Sequence, residues 1–248
     1  MSALTGRVAV VTGAEQPLGR GLALALADAG AAVALGGDAA TLAPLTADLE
    51  ARGSLAVAVD ADLERRDELE DAFATAADEV GGAVDVLVHA AMDPAAYQRR
   101  PFETVDDEGW HRVWEGTMRA ALAVLQAAYG QMRSRGGRIV FVTPTVSMSG
   151  AAGLVPYATA LEGQRLLAKA AARQWGPDGI TVNCVAPAPE QVPIDVESLE
   201  VSLAAPALGG PGDVEADVGP VVAFLASDAA HFVTGATVGA DGGVWMAP

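Results

Sequence analysis

Short apolar runs alternate with helical runs along nearly the whole chain, and this alternation limits the fold more than any other feature. VAVVT (8–12) reads as a buried strand, and LGRGLALALADAG (18–30) as a helix stopped by Gly30. Further strands are expected at 32–35, 55–60, 84–90, 138–143, 180–186 and 236–242. Between them, helices are expected at 42–53, 66–82, 107–133, 157–175 and 213–227. Strict β–α alternation implies a parallel sheet with helices on both faces. The expected fold is α/β, a doubly wound parallel sheet of about seven strands forming a single domain over 1–248. No internal repeat is visible, and the one linker-like stretch is APAPEQVPIDVESLE (186–200). Such sheets bind ligands beyond the carboxyl ends of their strands. Functional positions are therefore expected just after residues 12, 35, 60, 90, 143 and 186.

Composition narrows the classes of function. Of the 248 residues 51% are apolar, enough for a sizeable core. The net charge of −17 leaves no basic footprint for nucleic acid and disfavours anionic membrane surfaces. No apolar run of membrane-spanning length occurs, and MSALTGRVAVVTG does not read as a signal peptide, so a cytoplasmic protein is expected. The single cysteine, Cys184, excludes a disulfide framework. The three histidines lack metal-ligand spacing, so no metal site is expected.

TGAEQPLGRG follows the first strand and opens the first helix. Gly13 and Gly19 there suit either a pyrophosphate approaching bare backbone at a helix N-terminus or simply a tight β–α turn. The wider pattern favours the first use. Thr12, Gly13 and Gly19 match the T-G-x-x-x-G-x-G motif of the short-chain dehydrogenase/reductase family, with Pro17 at its middle glycine. DADL (60–63), DVLVHAA (85–91), GRIVFV (137–142), ITVNCVAP (180–187) and VVAFLASDAAHFVTGATVGADGG (221–243) also resemble that family, so the resemblance covers nearly the whole chain. It implies a Rossmann-like fold, a nicotinamide dinucleotide cofactor and ketone–alcohol chemistry on a small molecule.

In the family a tyrosine donates the proton, a lysine four residues later lowers its pKa, a serine thirteen residues earlier polarises the carbonyl, and an asparagine helps to hold a relay water. By resemblance the tyrosine is Tyr157, the lysine position holds Leu161, the serine position holds Pro144 flanked by Thr143 and Thr145, and the asparagine position holds Thr117. Bringing a phenol from pH 10 to about 7 needs roughly 4 kcal/mol of preferential stabilisation, at about 1.36 kcal/mol per unit. A neighbouring ammonium supplies much of this; leucine supplies none. Tyr157 is thus either a plain hydrogen-bond donor or a tyrosine kept for packing.

The cofactor positions are eroded as well. By resemblance Asp62 meets adenine, and Gly37 replaces the acid that holds the ribose in NAD users. Asp38, one place further, either binds ribose hydroxyls, which favours NAD over NADP, or caps a helix. His89, Ala90, Ala91 and Met92 stand where the family has N-N-A-G, and Met92 is expected to intrude on the adenosine side. Ala188 and Val192 replace a glycine and a cofactor-facing threonine. His89 reads as a core histidine, His111 as solvated, and Arg99–Arg100 as an exposed pair or an anion contact near the mouth.

One of four catalytic positions survives. The reading that follows is a catalytically impaired subunit supporting an active homologous NAD(P)-dependent reductase in a dimer or tetramer. The alternatives are a non-redox enzyme using Tyr157 on a carbonyl substrate and a divergent NAD(P)-dependent oxidoreductase.

Overall fold

The inner strands of the sheet are buried on both faces, which is why their runs are apolar rather than alternating, whereas the edge strand at Thr237–Ala240 is partly exposed. The computed structural model describes residues 2–195 and 203–246. Strands β1 (Val8–Thr12), β2 (Ala32–Gly36), β3 (Ala56–Val59), β4 (Val84–His89), β5 (Gly137–Val142), β6 (Ile180–Pro187) and β7 (Thr237–Ala240) form one sheet in the order β3-β2-β1-β4-β5-β6-β7. All neighbours are parallel. The helices are α1 (Pro17–Asp28), α2 (Ala39–Ala51), α3 (Arg66–Glu79), α4 (Asp107–Trp114), α5 (Ala120–Met132), α6 (Val155–Trp175) and α7 (Gly219–Ala226). The expected doubly wound sheet is therefore the observed one.

Successive strand residues feed opposite layers. Val11, Leu35 and Val88 pack with Leu22 and Leu26 of α1 and Val222 of α7. Val10, Leu87 and Phe141 pack with Phe73 of α3, Val124 of α5 and Ala168 of α6. A third cluster at the carboxyl end of the sheet holds Met92, Val146, Leu154, Tyr157 and Leu161.

Element ends differ from the sequence reading in ways local chemistry explains. Helix α2 starts at Ala39 rather than 42, because Asp38 caps it by accepting from the Thr41 amide at 2.7 Å. The helix expected over 107–133 is interrupted by a wide π turn at Glu115–Arg119, and a similar turn at Val214–Val218 precedes α7. No particular residue type marks such an insertion in the sequence. Of the linker-like stretch 186–200, residues 186–195 continue β6 into a short turn, and 196–200 lie outside the described residues.

Two side-chain contacts pin β1 to β4, the strands between which the chain order reverses. At the amino end the ladder shifts register between Val8 and Ala9, and the Asp85 carboxylate fills the gap by accepting from the Val8 amide at 3.0 Å. Arg7 (3.3 Å) and Arg135 (3.7 Å) neutralise it. At the carboxyl end the Thr12 hydroxyl meets His89 Nδ1 at 2.8 Å, and the His89 ring packs edge-on against Phe141 at 5.3 Å. Burial alone drives the His89 pKa down to about 4.

Replacing Asp85 by alanine leaves the buried Val8 amide without its acceptor and Arg135 without its anion, while Arg7 keeps Asp228 at 2.8 Å. Denaturant unfolding should show a loss of about 2–3 kcal/mol. His89 supplies a pH dependence. The folded chain keeps it neutral down to about pH 4. The unfolded chain takes up a proton below about 6.5, so stability is complete above that pH and falls as pH drops toward 4. The span corresponds to roughly 3 kcal/mol. A His89→Asn variant should flatten this acid limb in unfolding curves taken at successive pH values.

Candidate functional site

The strand order places a crevice between the carboxyl ends of β1 and β4, the switch point at which doubly wound sheets take ligands. Backbone crowding fixes its first wall. Gly13 has a φ of +80°, and a Cβ there would lie 2.5 Å from the Ala91 amide nitrogen. A Cβ on Gly19 would lie 2.2 Å from the Gly13 carbonyl oxygen. Both glycines are therefore required by the turn itself. Pro17 occupies the first position of α1, where its missing N–H is harmless, and it is exposed. No side chain caps this helix, so its open N-terminus still faces the crevice with donors for an anion. These residues fit the phosphates of a dinucleotide.

The side of the crevice facing Tyr157 is filled differently. The Tyr97 hydroxyl donates to Gln16 Oε1 at 2.7 Å, and Gln16 Nε2 donates to the Met92 carbonyl at 3.1 Å. Gln16 thus bridges the turn after β1 to the segment after β4. Met92 turns its side chain into the cluster around Tyr157, not onto the adenosine side expected from the sequence. Tyr97 packs against Tyr157 with ring centroids 5.8 Å apart. Burial raises the Tyr97 phenol to about 12.

Tyr157 is 1% exposed, and its hydroxyl has no hydrogen-bond partner. Burial, reinforced by Tyr97, holds its phenol well above the usual tyrosine range; Arg165 pulls the other way and is outweighed. Leu161, one turn further along α6, is also 1% exposed and packs in the same apolar cluster. The residues proposed to assist Tyr157 are occupied elsewhere. The Thr143 hydroxyl accepts from an Arg165 guanidinium nitrogen at 2.6 Å. The Thr145 hydroxyl lies 2.9 Å from the Pro187 carbonyl and 3.0 Å from Asp241 Oδ2. Thr117 sits in the π turn with its hydroxyl buried and unpaired, while its carbonyl accepts from Gln164 at 3.3 Å.

Arg165 is the functional-looking residue that the sequence reading missed. It is 5% exposed, donates to Glu162 at 2.8 Å and to both oxygens of Thr143, and also bonds Ser147. Tyr157, Leu161 and Arg165 recur every four residues on one face of α6, and that row was the available signal. Ser147 had none, because its role depends on the short helical turn after Pro144.

On the cofactor side, the Thr12 hydroxyl is spent on His89. The Asp38 carboxylate caps α2, and hydrogen bonding from Thr41 lowers its pKa. Asp62 is exposed and accepts from the Glu64 amide at 2.9 Å, closing the turn after β3. Val192 is buried. Beside the first turn of α6 lies a cleft of about 250 Å³ lined by Gln98, Arg100, Asp106, Arg112 and Pro156; Tyr157 does not line it. Arg100 pairs with Asp106 and Arg112 with Asp93, each at 3.4 Å. Among the described residues no cluster of histidine, cysteine and carboxylate side chains is placed to hold a metal ion, and no helix is long and apolar enough to cross a membrane.

Known proteins are similar to this chain in sequence and fold. A family model described as enoyl-(acyl carrier protein) reductase matches residues 13–245. A short-chain dehydrogenase/reductase of Armillaria gallica is 34% identical, with 96% of each chain covered. A 3-oxoacyl-(acyl-carrier-protein) reductase of Vibrio cholerae is 31% identical over 98% of this chain and 99% of its own. The solved structure of a short-chain type dehydrogenase/reductase from Mycobacterium ulcerans superposes with a TM-score of 0.86 at 29% identity, covering 97% of this chain and 90% of that one. From the matching model, the relatives and the shared fold, this chain belongs to the short-chain dehydrogenase/reductase family of oxidoreductases.

Proposed function

We propose that this chain is a catalytically impaired subunit that supports an active homologous NAD(P)-dependent reductase or dehydrogenase in a cytoplasmic hetero-oligomer. The carrying observation is the Tyr157 hydroxyl, buried without a partner beside Leu161 instead of a cation. A proton donor must reach the reacting oxygen and must ionise near the working pH. Tyr157 meets neither requirement while Tyr97 and Met92 pack against it. The assembly half of the proposal draws support from apolar side chains left on helix surfaces: Leu122 on α5 is 45% exposed and Leu166 on α6 is 70% exposed. Any dinucleotide held by the chain is NAD, bound through the turn around Thr12, Gly13 and Gly19. Its role is then structural or is coupled to the partner's chemistry.

The names of the relatives favour a second reading. Proteins 31–34% identical over almost the full length are named reductases and dehydrogenases. A divergent oxidoreductase would have to swing Tyr97 and Gln16 away to uncover Tyr157. Non-redox use of Tyr157, with Thr143, Thr145 or Thr117 assisting, would need the same opening.

Tyr157→Phe separates these readings. A buried, unpaired hydroxyl is a cost, so its removal should leave stability unchanged or raise it by about 1 kcal/mol. Under the proposed role, turnover by the purified assembly is unaffected. Loss of turnover with the fold intact would assign the chemistry to this chain. A tagged copy expressed in its native cell should also co-purify with a homologue carrying tyrosine and lysine at the positions of Tyr157 and Leu161. Recovery of this chain alone as a homo-oligomer counts against the proposal.

A further inference from the structure

Glycine at position 37 removes the side chain that would hold the cofactor ribose, yet the space beside it is not empty. A Cβ on Gly37 would lie 1.8 Å from Glu15 Oε1 and 2.9 Å from Glu15 Cδ. The Glu15 carboxylate therefore stands where the side chain of residue 37 would begin. Glu15 comes from the turn after β1, so it reaches this place from a different element. We infer that Glu15 supplies the ribose-binding carboxylate of this chain and makes the crevice select NAD over NADP. The inference rests on the proposal that the crevice takes a dinucleotide, and not on whether Tyr157 is active.

Three observations carry it. First, position 37 is fixed in place: its amide donates to the Val59 carbonyl at 3.1 Å, at the carboxyl end of β2. Second, the neighbouring carboxylates have other work. Asp38 caps α2 through Thr41, and Asp60 accepts from the Ala39 amide at 2.9 Å. Third, Glu15 is exposed and makes no hydrogen bond or ion pair among the described residues. It is a free acceptor beside the open N-terminus of α1. A carboxylate accepts hydrogen bonds from vicinal ribose hydroxyls and repels a 2′-phosphate. The nearest arginine on α1, Arg20, is paired with Asp48 and is not available to offset that repulsion. The Gln16 bridge does not forbid entry, since it consists of two hydrogen bonds of a partly exposed side chain, each worth about 1 kcal/mol.

The test is calorimetric titration of the full chain with NADH and NADPH, for the wild type and for Glu15→Gln, Glu15→Arg and Asp38→Asn. The wild type should bind NADH at least about tenfold more tightly than NADPH, and Glu15→Gln should weaken NADH by about tenfold. Glu15→Arg should bring NADPH to equal or tighter binding than NADH. Glu15 is on the surface, so these variants should fold, which circular dichroism checks. The inference is overturned if Glu15→Gln leaves NADH affinity unchanged, if Asp38→Asn alone causes the loss, or if the wild type takes NADPH as tightly as NADH. Binding of neither dinucleotide also overturns it, and leaves the impaired-subunit reading standing. NADH binding together with ketone reduction by the isolated chain does the reverse.

Discussion

The carboxyl-end site depends on how closely the turn after β1 approaches the end of β4. Gly13 rests against the Ala91 backbone, and Thr12 bonds His89 just beneath it. This contact sets the width of the crevice, and the crevice determines which side chains can meet across it. Gln16 reaches Tyr97 and the Met92 carbonyl only because the two walls are this close. Tyr97 is then held against Tyr157, and the phenol loses access to solvent. A chain of neighbouring contacts thus runs from two glycines in the first turn to a tyrosine on α6, without any one of them being unusual alone.

The two pins between β1 and β4 work in opposite electrostatic ways. Asp85 is ion-paired with two arginines and accepts from the Val8 amide. His89 is kept neutral by burial, with only a hydroxyl and an aromatic edge nearby. The amino end of the sheet is therefore held by paired charge and the carboxyl end by an uncharged contact. The Thr12–His89 contact puts no charge beneath the first turn; the charges around it are the exposed Glu15 carboxylate beside Gly37 and, near the mouth, the pairs Arg100–Asp106 and Arg112–Asp93.

Much of the fold was legible because short continuous apolar runs in the strands and the longer apolar period in the helices are written directly into the sequence. VAVVT was a strand to the residue, and the turn glycines were marked by position. The π turns at 115–119 and 214–218 were not legible, because one extra residue per turn does not disturb composition. Nor was the site. The loss of the lysine could be read at Leu161, but the sealing of Tyr157 depends on Tyr97, sixty residues away in the chain and in an irregular segment. Asp38 lay next to the vacated ribose position in sequence and was the obvious candidate. In space its carboxylate turns to Thr41, and Glu15 is the one that stands over Gly37. Adjacency in sequence is a poor guide where a helix cap competes for the same carboxylate.

Arg165 raises the question of whether a cation two turns along α6 replaces the missing lysine. Its guanidinium is buried and lies close enough to favour the Tyr157 phenolate. The direction of the net shift answers the question: burial raises the phenol further than Arg165 lowers it. The reason is where the guanidinium spends its donors. Glu162, Thr143 and Ser147 take them, and Glu162 neutralises the charge. A lysine at position 161 would have carried its ammonium one turn from the tyrosine on the same helix face. Leu161 fills that place with hydrocarbon and leaves the phenolate no donor. A charge paired with its own counter-ion supports the end of β5; it does not tune a phenol by the roughly 4 kcal/mol that catalysis at neutral pH requires.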